Sequence, residues 1–115
     1  MIFLDCFIKL KSNPDFRRIY GRGKSFVAPE IVTYIVSTNR NACRIGITTA
    51  KKVGCAVERN RARRVITAAF KDCLPDITKG CDIVFVARRR ILKSKSYDIA
   101  KIISNHLNEF GVCGK

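Results

Sequence analysis

Acidic residues are scarce in this 115-residue chain, with 9 Asp plus Glu against 23 Lys plus Arg, and His106 is its only histidine. A nuclease working by ordinary acid/base chemistry needs paired histidines or clustered carboxylates holding a metal. Here the acids are scattered singly, and no Ser-His-Asp or Cys-His arrangement is evident. The protein by itself is therefore not expected to be catalytic. The six cysteines, at 6, 43, 55, 73, 81 and 113, include no C-x-x-C pair. That spacing favours reduced cysteines serving as small core residues in a cytosolic protein over a disulfide framework or a zinc site, and no metal site is expected. A long apolar run is missing too. Residues 1–10 are apolar but broken by Asp5 and Lys9, with no basic n-region and no small-residue cleavage signal. Neither a signal peptide nor a membrane span is expected, which points to the cytoplasm. Repeats, low-complexity tracts and linkers are absent. At 47% hydrophobic the chain is not a disordered basic tail, and its length fits one domain over residues 1–115 with a core of ordinary size.

What the chain has instead is positive charge, a formal +14 with pI near 10.0. Residues 51–64 read KKVGCAVERNRARR, which gathers Lys51, Lys52, Arg59, Arg61, Arg63 and Arg64 around a single acid, Glu58. These cations repel one another in the free protein, and a polyphosphate chain would turn that repulsion into binding energy. A charge run often marks no more than a solvated face. In this chain it continues ahead of the helix and acids are nearly absent beside it, so nucleic acid is the first expectation. Arginine's planar fork holds two phosphate oxygens or stacks on a base, which suits folded RNA.

Elements follow from local pattern. Asn13-Pro14-Asp15 has the form of a helix start, giving a short helix over residues 14 to about 20, ended by Gly21 and Gly23. Residues 31–37 are β-branched and aromatic, and period two places Val32, Tyr34 and Val36 on one face of a strand. Residues 25–27 are its hairpin partner across Ala28-Pro29-Glu30. Asn39, Arg40 and Asn41 form the next turn, followed by a strand over 43–49, so the sheet begins antiparallel. After Gly54 the period becomes about 3.6: Ala62, Val65, Ile66, Ala69, Phe70 and Cys73 lie along one stripe of a helix ending before Pro75. Asn60, Arg64 and Lys71 lie opposite the stripe, with Arg61 and Arg63 flanking. Residues 81–87 are nearly all apolar, as in a strand covered on both sides, and Arg88-Arg89-Arg90 follows at its exit. A last helix starts near Ser96 and stops at Gly111. The order predicts an α/β sandwich containing a strand-helix-strand unit.

Two smaller features bear on binding. Gly54 sits at the turn into the basic helix, where it serves the turn itself, a close phosphate approach to the helix N-terminus, or both. Phe16 and Tyr20 share a face of the first helix with Arg17 and Arg18 beside them, as stacking of a single strand would need. Taken alone, these rings and Tyr34 also read as core anchors.

The same residues resemble the protein subunit of bacterial ribonuclease P. Its signature, S-K-K-x-G-N-A-V-x-R-N-R-x-K-R, is matched by Ala50-Lys51-Lys52-Val53-Gly54-Cys55-Ala56-Val57-Glu58-Arg59-Asn60-Arg61-Ala62-Arg63-Arg64. The stretch from Phe16 to Ser25 is similar to the family's N-terminal segment, and Val86-Ala87-Arg88 to its late strand ending in A-R. This likeness implies an α+β two-layer sandwich of the ribosomal protein S5 domain 2-like kind, with about four strands, three helices and a left-handed β-α-β crossover. It implies a ribonucleoprotein endoribonuclease whose large RNA removes the 5′ leader of precursor tRNA using Mg2+ bound mainly by that RNA, with no obligate protein partner. Arg59, Asn60, Arg61, Arg63, Arg64 and Lys71 would meet the catalytic RNA. Phe16, Arg17, Tyr20, Tyr34, Lys51 and Lys52 would meet the leader.

Departures from the pattern are Cys55 for the usual Asn, Ala50 for Ser, and Thr67 where many members carry another Arg. They remove an amide and a candidate phosphate contact. The alternative reading is a ribosomal or ribosome-assembly RNA-binding protein on a related sandwich. A duplex-DNA regulator has less support, since no helix-turn-helix or dimerisation stripe is recognisable.

Overall fold

Runs of branched residues form the spine of the molecule, and where each run sits in the sheet decides how apolar it is. In a computed structural model, which describes residues 8–9, 13–38, 43–73 and 80–111, the order is β1 (Ile8–Lys9), α1 (Asn13–Arg22), β2 (Lys24–Val27), β3 (Ile31–Ser37), β4 (Cys43–Thr48), α2 (Ala56–Cys73), β5 (Cys81–Ala87) and α3 (Ser96–Phe110). Short 3-10 turns occupy Lys51–Val53 and Arg89–Lys93. The strands form one mixed sheet in the order β1-β4-β5-β3-β2. β5 is central, and Cys81 through Phe85 are buried, as a strand covered on both faces requires.

Two features differ from the expectation. A fifth strand, β1, lies parallel to β4, with Ile8 opposite Arg44 and Lys9 opposite Ile45. Two residues are too few to show a period, so nothing in the pattern announced it. The hairpin of β2 and β3 is antiparallel as expected, but the other neighbour of β3 is β5, antiparallel to it, and not β4. The chain leaves β4, passes through α2 and returns as β5 between the two, parallel to β4. The Asn39-Arg40-Asn41 turn, Cys6 and Cys113 lie outside the described residues, as do the side chains of Asn13 and Asp15.

Period two sorts the sheet's side chains onto two different layers. Ile31, Ile35, Ile83 and Phe85 join Ile66, Phe70, Ile99, Ile103 and Leu107 in one core between the sheet and the pair α2 and α3, which makes the two-layer sandwich. The alternate residues face the other way, where Ile19 of α1 covers Val84 beside Phe16, Tyr34, Val36 and Val86. Ile19 is fully buried, a contact of about 1.5–3 kcal/mol for a side chain of this size. α1 runs past Gly21 to Arg22. It stops at Gly23, whose N–H donates to the Ile19 carbonyl at 2.7 Å. A Cβ at Gly23 would collide with that same oxygen. Glycine also closes α3, where Gly111 (φ +94°) donates to the Leu107 carbonyl at 3.0 Å.

The lone histidine is a core residue. His106 Nδ1 lies 2.9 Å from Thr33 Oγ1, and its ring stacks on Phe26 at 5.6 Å. Burial pushes His106 below its ordinary value, with Glu109's charge opposing in part. The unfolded chain then takes up a proton near pH 6.5 that the folded chain resists, so this contribution is full above about pH 6.5 and is lost as pH falls below it. Urea midpoints are expected to decline from pH 7.5 to 5, and His106→Gln, which keeps a partner for Thr33 without titrating, should flatten that decline. An unchanged slope in the variant would place the proton uptake elsewhere.

Candidate nucleic-acid interface

The N-terminus of α2 is built by two residues that are not basic. Glu58 reaches back so that its Oε1 accepts the Cys55 N–H at 3.0 Å, the reciprocal half of a capping box in which cysteine stands where a better capping side chain would sit. This hydrogen bond comes first among the causes that lower the Glu58 carboxyl below its usual range. Gly54 makes the arrangement possible: its φ of +155° suits glycine, and a Cβ there would press on the Glu58 carboxylate at 2.5 Å. The single acid of the basic block is thus engaged in capping.

Along α2, Ala62, Ile66, Ala69, Phe70 and Cys73 are buried, as the stripe predicts. Asn60, Arg61, Arg63, Arg64 and Lys71 are exposed, and Arg59 is half-buried. Among the described residues no carboxylate pairs with any of these cations. Arg61 Nη1 donates to the Leu92 carbonyl at 2.7 Å, which ties α2 to the second 3-10 turn, and Arg63 Nη1 donates to Asn60 Oδ1 at 3.0 Å. Thr67 Oγ1 bonds back to the Arg63 carbonyl at 2.8 Å, so this departure supplies no cation but is satisfied within the helix. Arg63, Arg64, Thr67 and Lys71 border an open groove of about 400 Å³.

On the opposite side of the sheet the aromatic residues meet. Tyr20 stands edge-on to Tyr34 with ring centroids 4.9 Å apart, and Phe16 lies 6.4 Å from Tyr20. Phe16 and Tyr34 are half-buried, and Tyr20 is 41% exposed, so the rings serve both as packing and as an accessible ledge. Register carries this floor onward, since Tyr34 pairs with Val84 and the next row on the same face pairs Val32 with Val86. There Val32, Val86, Lys52, Arg88 and Arg89 line a groove of about 490 Å³. The sheet face therefore runs between the aromatic ledge of α1 and a basic margin. Arg17 and Lys51 are exposed, and neither makes a hydrogen bond or ion pair with a described residue of the ledge.

Arg18 does not join Arg17 on the surface. It donates to Asp82 Oδ2 at 2.6 Å, while Arg44 grips both oxygens of the same carboxylate at 3.0 and 2.7 Å. Asp82 is fully buried in β5. Burial alone would raise its carboxyl, but hydrogen bonds from Arg44 and then Arg18, with their charges, hold it below the usual range. The triad joins α1, β4 and β5 beneath the aromatic ledge. Asp82→Asn is expected to cost on the order of 3 kcal/mol in urea denaturation, because the ion pairs that Arg18 and Arg44 make with this buried carboxylate are lost. A loss under about 0.5 kcal/mol, typical of an exposed pair, would show that the triad contributes little.

Sequence reasoning missed Val32, Val86, Arg88 and Arg89 as site residues. The Arg88-Arg89-Arg90 run was visible, but only strand register places it beside Lys52. Cys43, Cys73 and Cys81 are buried free thiols and Cys55 an exposed one. Among the described residues no three His, Cys, Asp or Glu gather as a metal-ligand group. No described helix is long and apolar enough to cross a membrane.

Comparison with known proteins agrees with this geometry. The family model described as Ribonuclease P matches residues 5–111. The ribonuclease P protein component of Clostridioides difficile strain 630 is 42% identical over 97 residues, covering 84% of this chain and 85% of that protein. The corresponding component of Clostridium beijerinckii is 44% identical over 96 residues, covering 77% and 76%. Among solved structures, the Staphylococcus aureus RNase P protein superposes with a TM-score of 0.77 at 30% identity, covering 91% of this chain and 96% of that one. The Thermotoga maritima RNase P protein gives a TM-score of 0.77 at 26% identity, covering 88% and 96%.

Proposed function

The chain belongs to the ribonuclease P protein family, and from that premise we propose that it binds the catalytic RNA through α2 and the 5′ leader of precursor tRNA through the opposite sheet face. Members of this family are subunits of an endoribonuclease holoenzyme, and the ribosomal alternative is not favoured. Arg59, Asn60, Arg61, Arg63, Arg64 and Lys71 contact the catalytic RNA in this proposal. Phe16, Arg17, Tyr20, Tyr34, Lys51 and Lys52 contact the leader, whose bases stack on the ledge while cations along the path neutralise its phosphates.

The observation that carries the reading is the exposed α2 face, whose arginines have no carboxylate partner among the described residues. A cationic surface left open at such a cost in self-repulsion is explained by a polyanion that covers it. Magnesium, bound mainly by the RNA subunit, would supply the hydrolytic chemistry. This chain's residues supply binding and orientation, in the cytoplasm where precursor tRNA is made. In the test, the purified protein leaves precursor tRNA intact, while adding it to the cognate RNA at low magnesium raises the rate of 5′ cleavage. Cleavage by protein alone, or no stimulation, would refute the proposal.

A further inference from the structure

The 3-10 turn Arg89–Lys93 divides its cations between two sides. Arg88 and Arg89 border the sheet-side groove with Lys52. Arg90 and Lys93 do not; with Arg89, Leu92 and Glu58 they line a separate groove of about 560 Å³ against the start of α2. The hydrogen bond from Arg61 to the Leu92 carbonyl fastens this turn to the helix, so its position relative to α2 is set by a direct contact. Arg90 and Lys93 are exposed and have no acidic partner among the described residues. Glu58 is the one carboxylate in the groove, and it is committed to the Cys55 N–H and acts electrostatically on Arg89. The basic surface of α2, with Arg64 and Lys71 on its crest opposite the apolar stripe, therefore continues down one flank into a second basic groove that holds Arg90 and Lys93.

We propose that Arg90 and Lys93 extend the catalytic-RNA docking surface from the crest of α2 down its flank, so that folded RNA is held there by two separate stretches of phosphate backbone. This rests on the assignment of α2 to the catalytic RNA and extends it to residues outside the helix. Paired or junction RNA offers two backbones, and cations in two adjacent grooves, one on the crest of α2 and one on its flank, can each take one of them. Continuity decides the partner: these two cations open onto the α2 side and are absent from the groove on the leader side.

The test uses the assembled holoenzyme. Hydroxyl-radical footprinting of the catalytic RNA is run with the wild-type protein, Arg90→Ala/Lys93→Ala and Arg64→Ala/Lys71→Ala. Each double variant is expected to lose protection of a different backbone segment, to bind the catalytic RNA about 100-fold more weakly, and to lower the salt slope of binding by about 1.8. Loss of the same segment by both variants, or an unchanged footprint and affinity for Arg90→Ala/Lys93→Ala, would overturn this extension of the surface. So would a defect confined to precursor over mature tRNA, which would assign these cations to the leader. If the wild-type protein itself protects no segment, the assignment of α2 fails first, and the two failures are told apart by that control.

Discussion

Reversing charge at Arg63 and Arg64 together, as Arg63→Glu/Arg64→Glu, is expected to weaken binding of the catalytic RNA by about 100-fold or more, with little change in thermal stability. Both side chains are exposed, and Arg63's bond to Asn60 stays within the helix surface. Removing a charge-assisted contact costs about 1.5–3 kcal/mol, so two such losses alone exceed 3 kcal/mol before repulsion is added. Arg61 is a poorer choice for this test because its guanidinium also holds the Leu92 carbonyl, and its reversal would disturb the 3-10 turn as well. Filter binding at fixed salt reads the affinity, and a thermal melt reads the fold. An affinity within threefold of wild type would remove α2 from the interface.

Replacing the rings of α1 should act on a different substrate preference. Phe16→Leu/Tyr20→Leu keeps apolar bulk over Ile19 and Tyr34 but removes the faces on which bases stack. Stacking is worth about 1–3 kcal/mol per base, so with one base lost from the stack holoenzyme affinity for precursor tRNA is expected to fall by about 5- to 150-fold. Mature tRNA, which lacks a leader, should bind as before. Equal loss for both tRNAs would show that the rings act through the fold and not through the leader. The two substitutions thus probe opposite sides of one sandwich, and their effects on RNA-subunit and precursor binding should separate.

The parts of this architecture legible in the chain were those set by neighbours in sequence. β3 and β5 follow from their branched runs, α3 from its spacing and its glycine stop, and the two-faced character of α2 from a period of 3.6. What escaped depends on which elements meet. Asp82 looks like a polar break at the edge of an apolar strand until Arg18 and Arg44 are brought to it from 64 and 38 residues away. Arg18 and Arg17 look equivalent in sequence, yet one is turned into the sheet and the other outward, because successive helix positions differ by 100° and Ile19 sets which side is down. The candidate binding residues of α2 and the ledge follow from a resemblance and from spacing. Joining the ledge to Lys52, Arg88 and Arg89 required the register between β3 and β5.

The most direct measurement is the affinity of the wild-type protein for the catalytic RNA over a range of monovalent salt at constant pH and magnesium. With about six phosphates neutralised when the protein docks, log affinity should fall against log salt with a slope on the order of −4 to −5. A slope near zero would mean that this cationic helix does not dock on RNA, and the account built on it would be wrong.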